Sequence, residues 1–331
     1  MSQKKPFFKG LRGFTRADND ILARDVSDSI YRWWWEFMRL SPVFWFARTT
    51  GIEIQDVEVR RIYELVGDLE ENGFSVWWIK TGKFIFREEV RPAKVNLINL
   101  DTLDQHNFSD ESLYLDIPLS ITKETIIKQI KKLLNERHEG RKLNVARTTT
   151  AQLKLHTKRY RLLTIENEYW VLLYKLIYPK IEIWRIGDRL RIRRDMKLRS
   201  TERRDNDNMF RKMSSVVGRF LYKANFSMQH IHYGSFPNIN KMQTEFFPFG
   251  KKNHADFISN TTGDNCLYNQ WLKDKFADKL HNRIISKNNL DRFRNNPANK
   301  IWEKIPKFIA GETDYLDVYT SGNFGKISSN S

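Results

Sequence analysis

The sequence predicts a mainly α-helical protein with minor β structure and several helical units. Three observations indicate this class: apolar residues recur at helical spacing, capping residues and prolines stand where helices would start and stop, and few stretches alternate like strands. Of the 331 residues, 40% are hydrophobic and 13% aromatic. The chain can therefore bury a ring-rich core and is not a disordered polymer.

The first predicted helix follows a basic N-terminal arm (residues 1–24) and opens an aromatic-rich helical domain over residues 25–110. Tyr31, Trp34, Trp35 and Met38 share one face, and Ser41-Pro42 is a stop signal. Such a stripe indicates a core helix, with docking on a partner protein or on nucleic-acid bases as alternatives.

Two further elements are predicted in this domain. An amphipathic helix covers residues 56–71 and ends near Asn72-Gly73. Two short strands around Thr81-Gly82 form a hairpin, with a helix through Trp77 and Trp78 as the alternative.

The second predicted domain, residues 111–240, is basic and helical. Residues 113–119 alternate like a strand, and Ser120 or Thr122 then caps a helix with Ile126 and Ile130 on its apolar side. Residues 127–161 hold eleven Lys plus Arg against two acidic residues. A run with so little counter-charge favours a polyanionic partner over an ordinary solvated helix face.

The candidate DNA-binding unit lies at residues 165–223. A helix over residues 165–178, a short helix carrying Trp184 and a helix beginning near Met209 resemble the three-helix core of helix-turn-helix proteins. Ile186, Gly187 and Leu190 look like the second helix of that motif. Compact motifs have a turn of about three to four residues, so residues 191–208 would be an inserted basic loop.

The contact residues are predicted from the local excess of basic side chains. Residues 185–223 contain thirteen basic residues against five acidic ones. Cations neutralise phosphates, and polar side chains on the last helix approach base edges. The predicted nucleic-acid-binding residues are Arg185, Arg189, Arg191, Arg193, Arg194, Lys197, Arg199, Arg211, Lys212, Ser214, Ser215, Arg219 and Lys223.

The whole composition favours a non-enzymatic DNA-binding protein. Fifty-seven Lys plus Arg against forty Asp plus Glu give a formal net charge of +17, which calls for a polyanion such as double-stranded DNA. No phosphate loop, hydrolase elbow or zinc signature is present, so neither a catalytic residue nor a cofactor is predicted. The only cysteine, Cys266, and the lack of a signal peptide predict a cytoplasmic protein without a membrane partner.

Two alternatives stay open. His230 and His232, followed by Tyr233, resemble the metal-binding pair and nucleophile of rolling-circle DNA nicking enzymes. The other is a structural or protein-interaction module, with a homo-oligomer as one form. Light scattering distinguishes it from a DNA binder.

The C-terminal part is predicted as a helical extension over residues 241–315, with helices at 268–285 and 299–309, and a disordered tail over residues 316–331. The tract Y-R-W-W-W-E-F-M-R-L-S-P, the L-Y-L-D-I-P-L strand and the P-K-I-E-I-W-R-I-G element together resemble uncharacterised proteins of bacterial phages and integrative elements over residues 27–237. The resemblance implies regulation, replication initiation or mobilisation of such an element, and no catalytic residue.

Overall fold

The computed structural model describes residue 8 and residues 26–70, 73–88, 113–137, 151–156, 160–193, 203–240, 246–290 and 301–312. These residues form a mainly helical structure, as predicted. The helices are α1 (Ile30–Arg39), α2 (Pro42–Thr50), α3 (Val57–Val66), α4 (Phe74–Trp77, continued by the π-helix Trp78–Gly82 and by Lys83–Ile85), α5 (Lys123–Arg137), α6 (Leu162–Ile177), α7 (Ile183–Arg189), α8 (Arg203–Ile231), α9 (Gly250–Thr261), α10 (Leu267–Lys287) and α11 (Ile301–Ala310). Two short parallel strands, β1 (Lys154–Leu155) and β2 (Ser235–Phe236), pair with each other.

Polar caps set the boundaries of the first helices. Ser29 accepts a hydrogen bond from the Tyr31 N–H and begins α1, and Ser41 does the same for Phe44 at the start of α2. Ser41-Pro42 therefore ends α1, as predicted, and also starts the next helix, because proline fits the first helical turn. Asp56 caps α3. That helix ends at Val66, short of the predicted residue 71, because Gly67 leaves the helical conformation with φ +61°.

The predicted hairpin around Thr81-Gly82 is wrong, and its helical alternative is confirmed. Phe74, Trp77, Trp78 and Ile85 are buried at helical spacing along α4. Gly82 is needed for packing instead of a turn: a Cβ there would lie 2.6 Å from the Trp78 ring. The Trp78 ring stacks on Phe86 with centroids 6.0 Å apart, and Tyr31 of α1 packs against both rings.

The region of residues 113–137 differs in part from its prediction. Residues 113–118 form no strand within the described chain. Thr122 caps α5 by accepting a hydrogen bond from the Thr125 N–H, as predicted. The apolar side of α5 is not buried, because Ile127, Leu133 and Leu134 are exposed. Leu119, just before the helix, is 90% exposed.

The remaining predicted helices are confirmed, with shifted ends. The helix predicted to begin near Met209 starts at Arg203, and those predicted over residues 268–285 and 299–309 are α10 and α11. Helix α9 was not predicted. The predictions for residues 1–7, 9–24, 89–112 and 313–331, which include most of the basic N-terminal arm and the tail predicted to be disordered, concern residues outside the described ones.

The buried side chains form one continuous cluster that runs from Phe8 to Ile309. Helix α6 packs on α1, α8 and α10, so sequence ranges predicted as separate domains contribute to one core. Within the described residues, no helix has both the length and the apolar character needed to cross a bilayer.

A buried carboxylate fixes the centre of this core. Glu36 of α1 accepts hydrogen bonds from Lys279 Nζ of α10 at 2.7 Å and from the Tyr169 hydroxyl of α6 at 3.2 Å. Arg39 lies 3.7 Å from the same carboxylate and stacks over the Trp35 ring. The charge is therefore paired and hydrogen-bonded, as a buried charge must be.

Candidate nucleic-acid interface

Helices α6, α7 and α8 pack on one another and form the predicted three-helix unit. The close crossing of α7 on α8 depends on Gly187, where a Cβ would lie 2.5 Å from Met213 Sδ and 2.7 Å from Val217 Cγ2. Trp184 packs on Phe210 with centroids 4.2 Å apart and ties α7 to the first half of α8. Thirteen residues, 190–202, join α7 to α8, more than in a compact helix-turn-helix unit.

Helix α8 has a buried face and an exposed face along its length. Met213, Val217, Ala224, Met228 and Ile231 are buried at helical spacing. About 100° per residue separates successive side chains, which places a polar stripe on the opposite face. The exposed or half-buried members of this stripe, here called the α8 stripe, are Asn208, Arg211, Lys212, Ser215, Arg219, Tyr222, Asn225, Phe226 and Gln229.

The α8 stripe is cationic. No acidic residue occurs from Met209 to Tyr233, whereas Arg211, Lys212, Arg219 and Lys223 occur there. Arg211, Lys212 and Arg219 are exposed, and Ser214 and Lys223 are half-buried at the edges of the stripe. Arg219 and Lys223 are four residues apart, a spacing at which like charges destabilise a helix. Beyond exposed Asp207, which lies one turn before Arg211, the sequence thus tolerates repulsion on a face without carboxylates.

Two of the predicted contact residues have partners inside the fold. Arg189 is completely buried: its Nε donates to the Phe308 carbonyl at 3.1 Å, and its guanidinium lies 4.2 Å from the Phe308 ring. Arg185 donates to the Gly311 carbonyl and pairs with Glu182 at 2.8 Å. Both arginines point at the C-terminal end of α11, where the last carbonyls lack helical partners and attract cations. Buried Arg189 is not accessible to a phosphate, and the guanidinium of half-buried Arg185 is engaged by two partners within the fold.

The basic stretch after α7 is described only in part. Arg191 has φ +52°, and its guanidinium lies 3.9 Å from the Asp188 carboxylate. The negative charge of Asp188 partly offsets the attraction of Arg191 for an anionic ligand. Arg193 is exposed. Arg194, Lys197 and Arg199 lie outside the described residues. Of the predicted set, the structure therefore brings together Arg211, Lys212, Ser215 and Arg219 on one face.

Five residues of the stripe were not predicted: Asn208 near its start and four in its C-terminal half. Tyr222 is 58% exposed, and its ring contacts Phe226 at a centroid distance of 4.6 Å. Asn225 and Gln229 are exposed beside them. Their spacing from Arg219, at three to four residues per step, was the available signal.

A buried carboxyl lies behind the stripe. Glu168 of α6 is buried, and burial raises its pKa to about 7, although the nearby Lys223 ammonium acts in the opposite direction. Desolvation disfavours the charged carboxylate more than one partly exposed lysine can offset. Near neutral pH, Glu168 therefore gains or loses a proton close to Lys223, at the edge of the stripe.

The nicking-enzyme hypothesis does not fit the geometry. His232 is buried with its Nε2 2.7 Å from Ser41 Oγ, whereas His230 Nε2 donates to the Asn240 carbonyl at 2.6 Å. Burial lowers the pKa of His232 to about 3. The Tyr233 hydroxyl donates to Asp56 Oδ2 at 2.9 Å, and Asp56 also caps α3. The two histidines point to different partners and the tyrosine serves a helix cap, so no joint metal and nucleophile site forms.

Metal ligation has no other basis in the described part of the chain, where no three His, Cys, Asp or Glu side chains are grouped to hold an ion. Comparisons with protein-family models, with curated proteins and with solved structures gave no match for this chain. The α8 stripe is the candidate functional site.

Proposed function

We propose that this protein binds nucleic acid, with double-stranded DNA as its ligand, through the α8 stripe and without catalysis. The observation that carries the proposal is the exposure of Arg211, Lys212 and Arg219 on a helix face that has no acidic residue after Asp207. Among the described residues, no carboxylate forms an ion pair with these three side chains. Some other surface cations, such as Arg48 and Arg61, have carboxylate partners, whereas exposed Lys80, Lys251 and Lys252 have none among the described residues.

Physical chemistry supports a polyphosphate partner for such a face. Each phosphate neutralised by a lysine or arginine releases condensed counterions, so binding gains entropy and becomes dependent on salt. The Asn, Ser and Gln side chains of the same stripe can contact phosphate oxygens or base edges. A helix held by α6 and α7 presents these groups on a rigid support, as helix-turn-helix units do.

The test is a salt titration of duplex binding. We expect a 20-base-pair duplex to bind the wild-type protein with a steep dependence on NaCl. The variant Arg211→Ala/Lys212→Ala/Arg219→Ala should lose about 2.7 units of slope, since each phosphate contact contributes about 0.9. Fluorescence anisotropy from 50 to 300 mM NaCl measures the slopes.

The matched control is Lys80→Ala/Lys251→Ala/Lys252→Ala, which removes the same charge from exposed positions on α4 and α9. Its salt slope should differ from that of the wild type by less than about 0.9, the contribution of one phosphate contact. Equal loss in both variants would mean that binding follows net charge and not the α8 stripe, and the proposal would be wrong.

The resemblance to phage and integrative-element proteins suggests the biological process in which this DNA binding would take part. Regulation, replication initiation and mobilisation of such an element all need a protein that holds the element's DNA in the cytoplasm. We therefore propose this class of role, with binding and not cleavage as the activity.

A protein-interaction role is the second candidate, and one observation favours it. The aromatic helix α1 offers no docking surface because Trp34, Phe37 and Met38 are buried. The exposed apolar side of α5, together with Leu119, is the surface that self-association would cover. Light scattering of the wild-type protein and of Leu119→Ser/Leu134→Ser tests it, and an unchanged monomer mass for both would exclude a homo-oligomer built on α5.

A further inference from the structure

Tyr222 is an aromatic ring presented to solvent in the middle of a cationic surface. At 58%, its exposed fraction is the largest among the aromatic side chains of the described residues. The Phe226 ring contacts it edge-on, at 4.6 Å and 63°, and holds it from below as the next turn of α8. Most other rings of this chain pack in the core. An exposed ring with a supporting ring is therefore unusual in this molecule.

Positive and amide side chains surround the ring pair. Arg219 lies one helical turn before Tyr222, and Lys223 is the next residue after it. Asn225 and Gln229 follow on the C-terminal side. A second copy of this chain would bring like charges together at this place, which opposes self-association through it. An apolar protein partner is disfavoured for the same reason, since an apolar surface would desolvate these cations.

We infer that Tyr222, supported by Phe226, is a stacking site for an unpaired base of single-stranded nucleic acid. The inference rests on the proposed function, because the flanking cations are the ones that bind phosphates. The inference requires that the ligand also contain a single-stranded part, in which the faces of the bases are accessible for stacking. Duplex bases are stacked on each other and cannot offer a face to Tyr222, whereas every unpaired base can.

The arrangement divides the stripe into two parts. Arg211, Lys212 and Ser215 in the first half meet phosphates of either a duplex or a single strand. Tyr222 and Phe226 lie about three and about four turns after Arg211, and they add affinity only where a base is free. Helical rise separates Arg211 from Tyr222 by about 16 Å, since each residue advances about 1.5 Å, so both parts can engage one short ligand.

The experiment compares three probes with equal numbers of phosphates per strand: a 20-nucleotide oligothymidine, a 20-unit abasic deoxyribose-phosphate strand and a 20-base-pair duplex. Tyr222→Ala should weaken oligothymidine binding by about 5- to 100-fold, the effect of losing one base–aromatic stack. Binding of the abasic strand and of the duplex should change by less than twofold. Tyr222→Phe should bind all three like the wild type, because the ring is retained.

Phe84→Ala is the matched control, since Phe84 is 56% exposed on α4 and lies outside the stripe. It should bind all three probes like the wild type. Loss of binding to all three probes in Tyr222→Ala, or no loss to any, would overturn the stacking site while salt-dependent binding of the wild type still upheld the proposed function. If the wild-type protein bound none of the probes, the proposed function itself would fail and the stacking site with it.

Discussion

Glu168 shows how burial changes the behaviour of one side chain. In the folded protein burial raises its pKa to about 7, from the ordinary glutamate value of about 4.5. Between these two pH values the folded state binds more protons than the unfolded state, so stability falls as pH rises through this window. Above pH 7 the folded protein carries a desolvated carboxylate.

We therefore predict that Glu168→Gln stabilises the protein in alkaline solution. At pH 8 the gain in unfolding free energy should be about 2 to 3 kcal/mol, since one pKa unit corresponds to about 1.4 kcal/mol. At pH 5, where the wild-type carboxyl is mostly protonated, the gain should nearly vanish. Urea unfolding followed by circular dichroism at both pH values measures it. Glu124→Gln, on exposed α5, should change stability by less than about 0.5 kcal/mol at either pH, and a pH-independent effect of Glu168→Gln would refute the prediction.

The sequence indicates which cations are exposed where helical periodicity decides exposure, and it fails to do so where a distant partner decides it. Arg211, Lys212, Ser215 and Arg219 are exposed because they lie opposite the apolar positions of α8. Arg189 is buried because it binds the carbonyl of Phe308, 119 residues later. A backbone carbonyl leaves no signature in the sequence, so a charge count cannot tell a structural arginine from a free one.

At the scale of elements, α11 is held to the three-helix unit by its C-terminal carbonyls. The Tyr174 hydroxyl of α6 donates to the Ile309 carbonyl at 2.6 Å, next to the carbonyls bound by Arg189 and Arg185. Asn288, just after α10, donates to the Arg189 carbonyl at 2.8 Å. Cations at a helix C-terminus also interact favourably with its dipole. These bonds anchor α11 on the side of α7 that faces away from solvent.

We predict opposite effects for two arginines of this unit. Arg189→Met should lower the unfolding free energy by about 2 to 3 kcal/mol, because the buried Phe308 carbonyl loses its charged donor and keeps only the Gly311 N–H, and should leave the salt slope of DNA binding unchanged. Arg219→Ala should change stability by less than about 0.5 kcal/mol and lower the slope by about 0.9. Urea unfolding and salt-titrated anisotropy on both variants measure this. A reduced slope in Arg189→Met with retained stability would contradict the assignment of Arg189 to the fold.

Helix prediction was reliable where caps and apolar spacing agree and failed where aromatic residues cluster. Helices α6, α7 and α10 have clear periods and polar or proline boundaries. Residues 74–86 alternate in part and carry β-favouring rings, so their local pattern fits a hairpin. Tertiary packing against α1 decides for a helix, because only helical spacing brings Phe74, Trp77, Trp78 and Ile85 to one side. Helix α9 was missed because Phe257 is its one buried residue, which gives too weak a period.

At the scale of the whole molecule, the net charge of +17 sets the response to salt. Self-repulsion destabilises a compact cationic protein, and added salt screens it, with a Debye length of about 10 Å at 0.1 M. A bound polyanion relieves the same repulsion but is itself released by salt. Salt should therefore stabilise the free protein and reduce the stabilisation that DNA provides.

We predict that raising NaCl from 50 to 500 mM increases the Tm of the free protein. A 20-base-pair duplex at about 100 times its Kd should raise Tm by a few °C at 50 mM NaCl, since such saturation contributes about 2.7 kcal/mol, and should have no effect at 500 mM.

The variants Arg211→Ala/Lys212→Ala/Arg219→Ala and Lys80→Ala/Lys251→Ala/Lys252→Ala each remove three positive charges. Both should therefore show the same smaller salt response without DNA, and only the first should lose the DNA-induced increase. Scanning calorimetry measures all four conditions. If the two variants lost the DNA effect equally, the surplus charge of the molecule would act as a whole and the α8 stripe would have no special part in binding.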